Sequence, residues 1–164
     1  MNVYLVLDNV RSIYNVGSMF RTAEGLGIEE VILCGITAYP KLKKFDSRPP
    51  YLADKIDKQI AKTALGSEKI QAWRYIATTF EAINLLKSKH VEVIGLEICH
   101  RARNITDYRP QTDVAIIVGN EIDGISPSIL NKCDRVLSIP MSGKKESLNV
   151  SAATAIALFY LKCI

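Results

Sequence analysis

Along the chain, short continuous apolar runs alternate with longer stretches whose apolar residues recur every three or four positions. "VYLVL" (Val3 to Leu7) predicts a strand buried on both faces. Val16, Met19, Phe20, Ala23 and Leu26 then fall on one helical stripe that Gly27 can terminate. "EVILCG" (Glu30 to Gly35) predicts the next strand, and "TAYPKLKKFDSRPPY" after it predicts a long exposed loop. Helical spacing returns at Leu52, Ile56, Ile60 and Ala64. "AWRYIA" (Ala72 to Ala77) predicts a strand, and Thr78 with Glu81 a capping box opening a helix through Leu86. "VEVIGLEI" and "DVAIIVG" predict two further buried strands. Ser126 and Pro127 predict the N-cap and first position of a short helix. "DRVLSIP" predicts the last strand, followed by an almost uniformly apolar helix from Val150 onward.

Strands alternating with helices predict an α/β fold with a mostly parallel sheet flanked by helices. No repeat, low-complexity tract or linker divides the 164 residues, so residues 1–164 are read as one domain. A net charge of +4 permits a polyanionic partner without demanding one. The N-terminal apolar stretch meets Asp8 too early for a signal peptide, and no run reaches the roughly 20 apolar residues of a membrane span. Cys34, Cys99, Cys133 and Cys163 are scattered, with no C-x-x-C pair. Reduced thiols in a cytoplasm are expected, with neither a zinc site nor a disulfide framework.

Ligands of such sheets bind at loops leaving the carboxyl ends of strands, and three of these loops pair glycine with polar side chains. They are "DNVRSIYNVGSMFRTAEGLG", "VGNEIDGIS" and "IPMSGKKESLNVS". Taken singly, Asn15 and Gly17 read best as cap and turn residues, Arg21 as a solvated helix residue, and Ser147 and Asn149 as caps of the last helix. Their joint occurrence points to one shared ligand site. The glycine signatures of dinucleotide and P-loop sites are absent, as are a nucleophile elbow and a recognisable histidine triad.

"NVRSIYNVGSMFRTAEGLGIEEVILCG", "IIVGNEIDGIS" and "IPMSGKKESLNVSAATAIALFYL" resemble, in order and spacing, the three motifs of the SpoU (TrmH-type) RNA 2′-O-ribose methyltransferases of the SPOUT superfamily. The likeness runs from about Tyr4 to Leu161. It implies a C-terminal deep trefoil knot, which periodicity would never suggest. It also implies S-adenosylmethionine as cofactor, contacted near Leu96, Glu97, Gly119, Ile139, Met141, Ser147 and Leu148. Asn15, Arg21, Glu121, Ser147 and Asn149 match the family's catalytic and positioning residues. A homodimer through the knot and last helix is implied, with Arg21 serving the partner's site. No metal and no membrane enter the scheme.

The resemblance implies an RNA substrate, tRNA or ribosomal RNA. Lys41, Lys43, Lys44 and Arg48, with aromatic residues interleaved, and Arg101 and Arg103 of "HRARN" are the candidate RNA contacts. The chain begins at its first strand, so no added N-terminal RNA-binding domain is expected. A guanidinium, protonated below a pKa of about 12, suits a phosphate clamp better than a base, and the proton acceptor stays open. A noncatalytic RNA-binding module and a knotted RNA base methyltransferase are the competing readings. Lys144 and Lys145 receive no role.

Overall fold

In the computed structural model, which describes residues 1–163, seven strands form one sheet between two helical layers. In chain order the elements are β1 (Val3–Asp8), α1 (Ile13–Gly25), β2 (Glu30–Cys34), α2 (Pro50–Ala64), α3 (Ser67–Ile70), β3 (Trp73–Ile76) and α4 (Thr79–Ser88). There follow β4 (Glu92–Leu96), β5 (Arg103–Asn104), a 3-10 turn (Ile105–Asp107), β6 (Val114–Val118), α5 (Pro127–Leu130), β7 (Arg135–Ser138) and α6 (Val150–Cys163). The sheet order is β3-β2-β1-β6-β4-β7-β5, and every strand pairing is parallel.

The apolar runs became the central strands because both sheet faces are covered, which removes any reason to alternate polar residues. All six residues of β1 are buried, with Leu5 opposite Val31 of β2 and Ile116 of β6. On one face α1, α2 and α6 contribute Phe20, Ile60 and Leu158 to the core; on the other, α4 and α5 contribute Ile83 and Ile129. Both anticipated caps are present. Thr78 and Glu81 form a reciprocal capping box, and Ser126 accepts from the Ile129 amide with Pro127 opening α5.

The differences lie where local pattern is weakest. The loop before α2 ends sooner than its composition predicts, because Pro50 is the first residue of the helix, where a missing amide costs nothing. Its interior is fastened by Arg48, which binds Asp46 at 2.6 Å and lies 3.7 Å over the Tyr39 ring. α3 and the two-residue β5 carry too little periodicity to be anticipated. The strands read as "VEVIGLEI" and "DRVLSIP" stop at Leu96 and Ser138, leaving Glu97, Ile98 and Ile139 in the loops beyond.

Gly17 is neither a cap nor a turn. It lies inside α1, where a Cβ would fall 2.1 Å from Thr63 Oγ1 and 2.4 Å from the Ile60 carbonyl oxygen of α2. Gly17→Ala is therefore expected to push these helices apart and to cost about 1–3 kcal/mol of stability. A urea midpoint equal to that of the wild type would contradict this packing account. Thr154, the buried polar residue of α6, donates to the Val150 carbonyl at 2.7 Å, so its hydroxyl is satisfied within the helix. All four cysteines are free, and among the described residues no helix is long and apolar enough to cross a membrane.

Candidate active site

The carboxyl ends of the adjacent strands β6, β4 and β7 enclose a cavity of about 600 Å³. Leu96, Glu97 and Ile98 form one wall, Gly119 to Gly124 a second, and Ile139 with Met141 a third. Glu146, Ser147, Leu148 and Asn149, with the first turn of α6, close it. Every cofactor contact expected from the sequence lines this cavity, as do Glu121 and Asn149. Ile98, Ile122, Ser138, Val150 and Ala153 line it too without having been singled out. Their adjacency to the motif residues was the available signal.

Glycine does two separate tasks in the second wall. A Cβ on Gly119 would come within 2.5 Å of the Gly124 carbonyl carbon and 2.6 Å of the Ile125 nitrogen. The close approach that requires glycine here is thus the chain's own backbone, joined by the Asn120–Gly124 hydrogen bonds. Gly124 has φ +65°, and a Cβ on it would lie 2.3 Å from Glu97 Oε2. Its bareness lets Glu97 accept from the Ile125 amide at 2.8 Å while its other oxygen accepts from the Ile98 amide at 2.9 Å. Glu97 therefore fastens two walls together as well as facing the cavity.

The three loops meet through side chains. Glu121 Oε2 accepts from the Arg11 amide at 2.9 Å, and Oε1 accepts from the Ser12 amide at 3.0 Å and the Asn15 side-chain amide at 2.9 Å. Asn149 donates in turn to Asn15 Oδ1 at 3.4 Å, and its own Oδ1 accepts from the Ser151 amide at 2.9 Å at the start of α6. Ser12, rather than Asn15, is the N-cap of α1, and its hydroxyl accepts from the Asn15 amide. Asn15 is thereby left free to bridge Glu121 and Asn149.

Burial raises the pKa of Glu121, but the donors from Arg11, Asn15 and Ser12 outweigh it and hold the carboxyl below the ordinary 4.5. With a folded value below the unfolded one, its anchoring acts fully above pH 4.5 and is lost as pH falls through the folded value. Urea midpoints of wild type and Glu121→Gln are expected to differ near neutral pH and to draw together below pH 4.5. A gap independent of pH would show that the charge contributes nothing. A carboxylate so held is an ionised anchor rather than a base poised near neutrality.

Arg21 stands apart. It is exposed on α1, six residues beyond Asn15 and thus about 9 Å further along the helix, and it does not line the cavity of its own chain. Of the candidate RNA contacts, Lys43, Lys44 and Arg103 are exposed and make no ion pair among the described residues. Lys41 pairs with Asp54 at 2.7 Å, and Arg101 donates to the Leu130 carbonyl and to Asn131. Arg48 is committed to Asp46 and Tyr39, which makes it a strut of its loop before it is a phosphate ligand. Lys144 and Lys145 are exposed beside the cavity-lining Glu146. No group of three or more His, Cys, Asp or Glu side chains able to hold a metal occurs among the described residues.

Residues 2–159 match the model of the SpoU rRNA Methylase family. The chain is 34% identical over 158 residues to the 23S rRNA (guanosine-2′-O-)-methyltransferase RlmB of Acinetobacter baylyi, covering 94% of this chain and 57% of that protein. It is 30% identical to a putative TrmH family tRNA/rRNA methyltransferase of Staphylococcus aureus, covering 97% of this chain and 58% of that one. The chain thus spans little more than half the length of these relatives. Among solved structures, an AdoMet-bound rRNA methyltransferase from Sinorhizobium meliloti superimposes with a TM-score of 0.80 at 24% identity. That match covers 97% of this chain and 55% of the other.

Proposed function

The chain belongs to the SpoU rRNA methylase family, and from that premise we propose that it transfers a methyl group from S-adenosylmethionine to a ribose 2′-hydroxyl of tRNA or ribosomal RNA. The observation that carries this reading is a cavity lined by the second and third of the sequence-distant loops, with the first tied to them by hydrogen bonds through Asn15, Glu121 and Asn149. A noncatalytic RNA-binding module would have no use for such a cavity.

The lining suits the proposed cofactor. Leu96, Ile98, Ile139, Met141 and Leu148 supply an apolar surface for an adenine ring, and the strand-end backbone around Gly119 and Ile139 supplies donors and acceptors for its edge and its ribose. When bound, S-adenosylmethionine supplies a methyl carbon activated by the adjacent sulfonium. The residues of this chain then hold the ribose oxygen in line with that carbon and exclude competing orientations. Asn15 and Asn149 position the ribose, Ser147 lies beside the cofactor, and Glu121 fixes the bridge between them. Arg21 acts from the partner subunit, clamping the phosphate next to the target and stabilising charge that develops on the 2′-oxygen.

This assignment implies a homodimer, because Arg21 does not line its own cavity. In support, Ala152, Ile156, Phe159 and Cys163 form an exposed stripe along α6 at spacings of four, three and four residues. An apolar stripe of this spacing is the signature of a helix packed against another helix. Phe159→Asp is expected to give monomers by light scattering and to lose methyl transfer. A fully active monomer would refute the shared site.

The segment from β4 to α6 is further read as a deep trefoil knot. The order β6-β4-β7-β5 supports this, since the late strand β7 lies between two earlier ones. An experimental structure traced through residues 97–149 tests the threading. The reaction itself is tested by incubating the protein with labelled S-adenosylmethionine and unmodified tRNA or rRNA, followed by nucleoside analysis. Label on a ribose is expected, whereas label on a base would move the chain to the base methyltransferases.

A further inference from the structure

The sheet carries a second cavity that this reaction does not use, and topology explains its place. The strands step from β1 through β2 to β3 in one direction, while β6 lies on the other side of β1. The helix after β1 packs on one face of the sheet and the helix after β6 on the other. In open parallel sheets such a reversal opens a crevice at the carboxyl ends of the two strands, where ligands bind. Here the crevice has a volume of about 450 Å³, and Asp8, Asn9, Thr79, Phe80, Asp123 and Ser126 are among its lining. The 119–124 loop separates it from the proposed cofactor cavity, with Asn120, Asp123 and Gly124 lining both.

Asp8 gives this cavity its chemistry. It ends β1 and is only 4% exposed. Its Oδ1 accepts from the Thr79 hydroxyl and, at 2.9 Å, from the Asn9 side-chain amide, whereas Oδ2 has no partner among the described residues. No side-chain oxygen sealed from solvent lacks a partner among the described residues, so Oδ2 retains access to the cavity that Asp8 lines. A nearly buried carboxylate with one unpaired oxygen is unfavourable unless water or a ligand donates to it. The arrangement is held in place by Asn9, which adopts φ 55° and accepts from the Ile36 amide at 3.1 Å, aiming its own amide at Asp8. Phe80, 41% exposed at the start of α4, supplies an aromatic wall, and the Asp123 carboxylate has no hydrogen-bond partner among the described residues.

Resting on the RNA reading above, we propose that this cavity binds a guanine base of the substrate, from a nucleotide flanking the one that is methylated. Guanine is the common base whose Watson–Crick edge presents two adjacent donors, N1–H and the N2 amino group. Adenine, cytosine and uracil each place an acceptor where a second donor is needed. Asp8 Oδ2 and Asp123 accept from that edge, and the ring stacks on Phe80. The shared loop puts the two cavities back to back, so that a guanine held here adjoins the nucleotide whose ribose meets the cofactor in the other.

The test is an NMR titration of the isotope-labelled protein, saturated with S-adenosylmethionine, with guanosine 5′-monophosphate and separately with adenosine 5′-monophosphate. The guanine nucleotide is expected to shift Thr79 and Phe80, and Phe80→Ala to weaken its binding about tenfold or more, as loss of one base-stacking platform does. Asp8→Asn should abolish the preference between the two nucleotides. Because Asp8 is buried, the surface variant Phe80→Ala keeps the proposal open to refutation if Asp8→Asn does not fold. With RNA, replacing the flanking guanine by inosine, which lacks the N2 amino group, should raise KM about tenfold in the wild type and little in Asp123→Ala, which lacks one of the two acceptors. Equal shifts with both nucleotides, no shift at the cavity, or indifference to inosine overturns the proposal. Absence of methyl transfer to any RNA would instead overturn the reaction, while the nucleotide titration still decides the cavity.

Discussion

Arg21→Ala is expected to lower methyl transfer by roughly 10²–10³-fold while leaving stability and S-adenosylmethionine affinity near wild type, the size of effect seen when one preorganised charge-stabilising donor is removed. The asymmetry follows from where Arg21 sits. It is exposed, makes no ion pair with its own chain among the described residues, and does not line its own cavity. Its loss therefore removes no packing, and the fold has no reason to notice. If Arg21 serves the partner's site, mixed dimers give a second readout. An Arg21→Ala chain combined with an inactive Asn149→Ala chain should recover activity, because one of the two sites then holds both intact residues. Full activity in the single variant, with normal cofactor binding, would remove Arg21 from the reaction.

Gly119→Ala is expected to weaken S-adenosylmethionine binding about tenfold or more and to cost about 1–3 kcal/mol of stability. The added carbon would meet the Gly124 carbonyl carbon at 2.5 Å and the Ile125 nitrogen at 2.6 Å, and neither backbone atom can rotate aside as a side chain would. The Asn120–Gly124 pairing must open, and with it moves the wall that Glu97 fastens through the Ile125 amide. Calorimetric titration with S-adenosylmethionine and a denaturant curve on the same sample separate the two effects. Affinity within about twofold of wild type alongside an unchanged midpoint would mean that the loop relaxes freely, contrary to the close-packed backbone described above.

These two residues also mark how far sequence reading reaches. The sheet was legible because both its faces are covered, so each central strand announces itself as an unbroken apolar run such as "VAIIV" in β6. The caps at Thr78 and Ser126 were legible because capping is decided within four residues. β5 was not, since its two residues are a strand only by pairing with β7 across more than thirty positions. The reason for Gly119 was hidden for a similar cause. A turn glycine and a ligand-facing glycine are spelled alike, and only the distance to Gly124 separates them. Asn15 read singly as a cap, because the neighbour that gives it another task, Glu121, lies 106 positions away. The motif resemblance named Gly119 and Glu121, which line one cavity, and Asn15, which is hydrogen-bonded to Glu121, without saying what each one touches.

The hydrogen bond from Asn149 to Asn15 spans 134 positions and joins the first helix to the last. Its consequence is thermodynamic linkage between the two ends of the chain. A ligand held by the loop before α6 favours states in which that loop is closed, and so, through Asn15 and Glu121, also those in which the amides of Arg11 and Ser12 are engaged. Filling the cavity should therefore slow hydrogen exchange at the start of α1, in amides that line no part of it, and Asn15→Ala should uncouple the two.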